Sequence, residues 1–99
     1  MKVNVSGSVD VGEAFPNQIK DQLEEKISKY FANEPVIDIH FNKQNEIIHT
    51  NINVNGYKIN ADGESIDIRT SFEGALDKLI IQLRKEKDKL ITKKKQGNR

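Results

Sequence analysis

Apolar residues in this chain follow two different periods, and the order of those periods restricts the fold more than any other feature. VNVSGSV alternates at every second residue, which is typical of a strand, whereas residues 13–32 place apolar side chains at steps of three and four, which is typical of a helix. Three further alternating runs, VIDIHF, EIIHTNINV and YKINADG, precede a second helical stripe. The predicted order is therefore β-α-β-β-β-α.

The segment NKQN sets the predicted register between the second and third strands. Its length and composition are those of a four-residue hairpin loop, in which Asn42 pairs with Ile47. This register makes His40 a cross-strand neighbour of His49. It also gives the sheet one apolar face and one mostly polar face.

Two local signals bound the last strand and the second helix. The dipeptide Asn55-Gly56 predicts a hairpin, after which Tyr57 begins the fourth strand and faces the core. Asp67 is the predicted N-cap of the second helix. Because each helix has one apolar stripe, both are expected on the apolar face of the sheet. The predicted fold is α+β, a two-layer sandwich of a four-stranded sheet with two helices on one face.

Length and composition restrict the classes of protein that fit. Ninety-nine residues are enough for one domain, expected to span residues 1–92, followed by a basic, disordered tail at residues 93–99. The chain has no cysteine and no run of about 18 apolar residues, so we expect a cytoplasmic protein without a membrane span. No phosphate-binding loop or catalytic motif occurs, which predicts a protein that is not an enzyme and needs no cofactor.

His40 and His49 are the one suggestive group of metal-binding side chains, because the predicted register places both near Asp38. Imidazoles are also common on the solvated side of an antiparallel sheet. No neighbouring motif supplies the supporting hydrogen bonds that metal ligands usually have. We therefore expect no metal site, and metal analysis of the purified protein tests this expectation.

Positive charge is concentrated near the end of the chain. From Lys78 onward nine Lys and Arg accompany two acids, a net charge of +7, whereas residues 1–77 have seven cations and thirteen acids, a net charge of −6. The lysines that lie off the apolar stripes are Lys20, Lys26 and Lys29 on the first helix and Lys78, Lys85 and Lys89 on the second. Two neighbouring helices are thus expected to present one cationic surface.

A charged helix face is often only the solvated face, and the C-terminal dipole of a helix also favours cations. Here the excess of cations over acids favours a polyanion as partner, because each phosphate neutralised by Lys or Arg releases counterions. The sheet lacks exposed aromatic residues of the kind on which single-stranded bases stack. We expect recognition of folded RNA by shape and backbone.

The segment DIRTSFEGALDKLIIQLRKEKDK resembles the signature D-x-Y-x-A-I-D-x-x-x-D-K-L-x-x-Q-L-R-K-x-K of the ribosome hibernation-promoting factors, also known as the ribosome-associated inhibitor or sigma modulation family. LEEKISKYF is similar to the family's E-E-K-L-S-K segment. The positions that match identically or conservatively are Asp67, Phe72, Glu73, Asp77, Lys78, Leu79, Gln82, Leu83, Arg84, Lys85 and Lys87. Ile81 stands where many members have Arg, and Arg69 stands where they usually have Tyr.

This resemblance, which covers nearly the whole chain and is to a short form of the family, implies a fold related to double-stranded-RNA-binding domains. It implies binding in the mRNA and tRNA groove of the small ribosomal subunit, so that idle ribosomes are silenced in stationary phase or under stress. The implied partners are rRNA and a separate ribosome-dimerising factor, with no membrane and no small-molecule substrate. By their positions in the family pattern, six residues are expected to bind rRNA: Lys26, Lys29, Lys78, Arg84, Lys85 and Lys87. Lys89 is included with them on the basis of its charge alone.

One alternative function stays open at this point. A small α+β regulatory module could use the same basic helix to dock an acidic protein partner. A pulldown that yields one protein and no rRNA would favour that alternative.

Overall fold

A computed structural model of the protein describes residues 1–97, with side chains described as far as Glu86. The elements in chain order are β1 (Lys2–Gly7), α1 (Ala14–Ile27), a 3₁₀ turn (Ser28–Tyr30), β2 (Val36–Gln44), β3 (Ile47–Val54), β4 (Ile59–Ser65) and α2 (Ile68–Gly97). This order confirms the predicted β-α-β-β-β-α arrangement.

The four strands form one mixed sheet in the order β1-β2-β3-β4. β1 and β2 are parallel, and α1 is the crossover connection that parallel neighbours require. β2, β3 and β4 pair in antiparallel fashion. Val3 pairs with Ile37, Ile37 with Val54 and Val54 with Ile59, so one row of apolar side chains crosses all four strands.

Both helices pack their apolar stripes against this apolar face of the sheet, which confirms the predicted two-layer α+β fold. Each fully buried Leu or Ile stabilises the fold by about 1.5–3 kcal/mol relative to an exposed one. The buried helix residues are Ile19, Leu23 and Ile27 on α1 and Phe72, Ala75, Leu76, Leu79 and Leu83 on α2.

The two helices contact the sheet through residues of different size. Gly63 of β4 lies directly beneath α2, where a methyl group would overlap backbone atoms of Ser71 and Ala75. α2 therefore approaches β4 closely. α1 instead rests on large side chains, and the ring of Phe15 has its centroid 6.0 Å from that of Phe41.

A buried pair of hydroxyl groups joins α2 to the middle of the sheet. Thr50 Oγ1 and Ser71 Oγ are 2.7 Å apart, and both residues are almost fully buried. Ser71 Oγ is also within 2.9 Å of the Ile48 carbonyl oxygen, to which it donates. These buried polar groups thus have the partners that burial requires.

The predicted register of the β2–β3 hairpin is wrong by two residues. β2 continues to Gln44, which pairs with Ile47, and the loop contains only Asn45 and Glu46. Their φ angles of 49° and 72° are those of a two-residue turn with both residues in the left-handed region. Because the shift is an even number of residues, the inward-facing residues of both strands still face inward.

Two predicted boundaries also differ from the structure. α1 ends at Ile27 and continues as the 3₁₀ turn to Tyr30, before the predicted end at residue 32. β4 begins at Ile59, because the connection at residues 55–58 turns through positive φ angles of 87° at Gly56 and 54° at Lys58. Tyr57 therefore lies outside the sheet and is 37% exposed, which corrects the prediction that it faces the core.

The predicted N-cap of α2 is confirmed. One carboxylate oxygen of Asp67 accepts hydrogen bonds from the backbone N–H and the hydroxyl of Thr70, both at 3.0 Å. Asp67 thus satisfies one of the amide donors that a helix N-terminus leaves without a partner.

Helix α2 continues to Gly97, past the domain boundary predicted at residue 92. The side chains of residues 93–97 lie outside the described part of the structure. The division into a domain at residues 1–92 and a tail at residues 93–99 remains a prediction.

Candidate nucleic-acid interface

The two helices run parallel with their N-termini side by side. Arg69, in the first turn of α2, donates a 2.7 Å hydrogen bond to Gln18 of α1, and its guanidinium lies 5.7 Å from the centroid of the Phe15 ring. This residue departs from the family pattern, and the structure gives it a role in joining the two helices. With a rise of about 1.5 Å per residue in both helices, the last turn of α1 is level with residues near 75 to 78 of α2, and the 3₁₀ turn is level with the turn that follows.

The cations predicted on the first helix lie at that shared end. Lys26 is exposed in the last turn of α1. Lys29 is exposed in the 3₁₀ turn, with its Nζ 5.5 Å from the centroid of the Tyr30 ring. Lys26 follows Gln18 by about two turns of α1, and the 3₁₀ turn that carries Lys29 lies against α2. Lys20 is also exposed but points away from α2 by the same helical spacing.

The described cations of α2 lie on two flanks of the helix. Gln82 donates a 2.6 Å hydrogen bond to the Asn60 carbonyl oxygen of β4, which identifies the flank toward the β4 edge. Exposed Lys78 and Lys85 lie four residues before and three after Gln82, on this same flank. Exposed Arg84 follows half-buried Ile80 by one turn, on the flank toward α1.

An outward ridge separates these two groups of cations. By helical spacing the ridge carries Asp77, which is exposed, and Ile81, which is 51% exposed. The cations thus form an interhelical group of Lys26, Lys29 and Arg84 and an edge group of Lys78 and Lys85. The expectation of one continuous cationic surface stays a prediction, because the side chains of Lys87 and Lys89 lie outside the described residues.

Both groups have their charges available to a partner. Among the described side chains, two contacts join an acid to a basic group, Met1 with Glu34 and His49 with Glu64, and neither involves a cation of the two groups. All five cations are exposed. An exposed ammonium or guanidinium group without an acidic partner is free to neutralise a phosphate.

The opposite side of the molecule has a different character. The outer face of the sheet is polar and carries side-chain hydrogen bonds between neighbouring strands, such as Asn4 to Asp38 at 2.9 Å and Ser8 to Asn42 at 3.0 Å. Asp62 also lies on this face, where its carboxylate accepts from the Asn51 amide. The outer face of the sheet is thus a polar surface on which hydrogen bonds join side chains of neighbouring strands.

The two histidines do not form the cross-strand pair that was predicted. In the observed register His40 pairs with Asn51, and its Nδ1 lies 3.3 Å from Ser6 Oγ. His49 pairs with Glu64 of β4, and its Nδ1 lies 3.3 Å from that carboxylate. Within the part of the chain that the structure describes, no three His, Asp or Glu side chains are grouped to hold a metal ion.

Some predicted site residues lie beyond what the structure describes. Lys87 and Lys89 belong to the helical backbone of α2, but their side chains are outside the described residues, and their role remains a prediction. Lys58 is a further exposed cation, in the connection before β4, and it was not among the predicted site residues because the strand was predicted to begin before it. No helix among the described residues is long and apolar enough to cross a membrane.

The fold and the exposed cations define a small α+β binding domain. The chain belongs to the family described as Sigma 54 modulation protein / S30EA ribosomal protein, whose match extends over residues 3–91. This confirms the resemblance seen in the sequence. The family consists of ribosome hibernation factors, which are binding proteins without enzymatic activity, so the prediction of a non-enzyme is also confirmed.

Similar proteins and structures agree with this assignment. A ribosome hibernation promoting factor from Klebsiella oxytoca is 32% identical over 93 residues, covering 91% of this chain and 97% of that protein. One from Escherichia coli (strain K12) is 31% identical over the same length and coverage.

Two solved structures have the same fold. A ribosomal subunit interface protein from Coxiella burnetii has a TM-score of 0.71 at 26% identity, covering 89% of this chain and 99% of that one. The N-terminal domain of Protein Y from Thermus thermophilus has a TM-score of 0.73 at 16% identity, covering 86% and 98%. At this lower identity the likeness shows the fold alone.

Proposed function

We propose that this protein silences idle ribosomes by occupying the mRNA and tRNA groove of the small ribosomal subunit, with its helical cations on rRNA phosphates. The observation that carries the proposal is a set of exposed cations, none of which has an acidic partner among the described side chains. They are Lys26, Lys29 and Arg84 between the helices and Lys78 and Lys85 at the edge. Family membership supplies the ribosome as partner.

The mechanism is occlusion, and it needs only a rigid body that holds cations at fixed positions. The helices are packed on the sheet through fully buried side chains, so both groups of cations keep their spacing on binding. Phosphate contacts fix position and orientation without reading sequence. A protein held in this way blocks the groove while making and breaking no covalent bond.

Salt dependence follows from the number of phosphate contacts. If the five described cations each neutralise one phosphate, affinity should fall about 10²- to 10³-fold between about 50 and 200 mM salt. The supporting result is co-sedimentation with isolated small subunits that weakens in this way and that protects groove nucleotides of the rRNA from chemical probes.

Two results would contradict the proposal. One is co-sedimentation with large subunits and none with small subunits. The other is capture of a single acidic protein without rRNA, which would favour the alternative of a regulatory module. A weak dependence on salt would show that phosphate contacts do not dominate.

A further inference from the structure

A depression of about 260 Å³ lies between the β3–β4 connection and helix α2. It is lined by Tyr57, Lys58, Ile59, Gln82, Lys85 and Glu86. This volume is below the roughly 300–1,000 Å³ of sites for drug-sized ligands. It is therefore suited to a single small group and not to a long stacked chain.

Tyr57 supplies an aromatic surface at the rim of this depression. Its ring meets that of Phe31 edge to face, with centroids 5.2 Å apart and planes at 71°. This contact fixes the ring, yet the residue is 37% exposed. A fixed, exposed aromatic ring is the group on which proteins stack unpaired bases.

Two ammonium groups accompany this ring. Lys58 reaches the depression from a connection in which its φ is 54°, a backbone conformation uncommon for a residue other than glycine. Lys85 reaches it from α2. Glu86 also lines the depression and takes part in an interaction of its own. Two lysines against one glutamate give the lining a net charge of +1. This charge favours an anion.

Gln82 adds an oriented hydrogen-bonding group. Its Nε2 donates to the Asn60 carbonyl oxygen at 2.6 Å, which holds the amide in place. Its Oε1 then remains as an acceptor for an exocyclic amine or a ribose hydroxyl. An aromatic ring, two cations and an amide oxygen together match a base, a phosphate and a sugar.

We infer that this depression binds one unpaired nucleotide of RNA, with its base on Tyr57 and its phosphate on Lys58 and Lys85. The inference rests on the proposed function and deepens it, since recognition would then include an unstacked base as well as folded backbone. The aromatic surface lies beside the sheet and not on it, because β4 begins at Ile59.

The direct test uses the Tyr30→Phe protein, in which Tyr57 is the sole tyrosine because the chain has two. With labelled tyrosine, NMR titration with a uridine hexanucleotide should shift the Tyr57 ring resonances upfield until saturation. Ribose 5-phosphate should leave them in place. Ring resonances that do not move with the hexanucleotide would overturn the inference, whether or not the protein binds ribosomes.

A second test uses intact small subunits. Tyr57→Leu should weaken binding by about 5- to 150-fold, the effect expected of one lost stacked base, whereas Tyr57→Phe should bind like the parent. Equal melting temperatures of the two variants show that the Phe31 contact has not confounded the result. If Tyr57→Leu binds as tightly as Tyr57→Phe, the nucleotide site is wrong and the proposed function stands. If the parent protein does not bind subunits, the proposed function fails and the hexanucleotide titration decides the inference.

Discussion

Asp67 begins α2 by accepting two hydrogen bonds from Thr70. The backbone N–H of Thr70, followed by its hydroxyl, lowers the pKa of Asp67 from the ordinary value of 3.8. A carboxylate whose pKa is lowered by folding stabilises the folded state when it is ionised. Its contribution is complete above the unfolded-state pKa and is lost as the pH falls through the folded-state pKa.

Replacement of Asp67 tests this cap. Asp67→Ala should lower the midpoint of thermal unfolding at neutral pH, because the amide of Thr70 loses its partner. Asp67→Asn is the matched control, since Asn also caps helices but does not titrate. The deficit of Asp67→Ala should shrink as the pH falls from about 7 to about 2. A deficit that is independent of pH would show that the charge of Asp67 does not contribute.

At the scale of elements, the approach of α2 to β4 depends on glycine. Gly63 has no room for a side chain because backbone atoms of Ser71 and Ala75 occupy the space. Gly74 lies on α2, the helix that faces Gly63. A methyl group added at Gly74 would have the Cα of Gly63 as its nearest neighbour, at an ordinary contact distance of 3.9 Å. The two glycines should therefore respond to alanine in opposite directions.

Gly63→Ala should reduce the free energy of unfolding by about 1–3 kcal/mol, because α2 must move away from the sheet. Gly74→Ala should increase it by about 0.5–1 kcal/mol, because alanine favours the helical conformation. Urea denaturation of both variants measures the two effects. If both substitutions are neutral, the close packing of α2 on β4 is not as described.

The strands could be predicted from the spacing of their apolar residues, because inward-facing and outward-facing residues alternate in each of them. The register of the β2–β3 hairpin could not be predicted in the same way. Its turn places Glu46 at a φ of 72°, a backbone conformation that glutamate does not favour. The start of β4 was missed for a similar reason at Lys58, whose φ is 54°. In both turns the pairing of the strands outweighs the backbone preferences of the turn residues.

At the scale of the whole molecule, charge in the sequence predicted which helices carry cations but not how they are grouped. Helical spacing alone could not show which flank of α2 faces β4, and the contact from Gln82 to Asn60 supplies that direction. The exposure of Ile81, which places the ridge between Arg84 and Lys85 on the outward side of α2, is known only from the packed structure. Family membership was predictable because most of the residues that carry it lie close together in the sequence, from Asp67 to Lys87.

Binding of charge-reversed proteins to small ribosomal subunits tests the central claim most directly. Lys78→Glu combined with Lys85→Glu should abolish co-sedimentation, because the edge group then repels phosphate. Lys2→Glu combined with Lys43→Glu is the matched control, since it makes the same change in net charge on the strands β1 and β2. We predict that only the first variant loses binding, and that the two variants unfold at similar temperatures. Binding of the first protein at the affinity of the parent would contradict it.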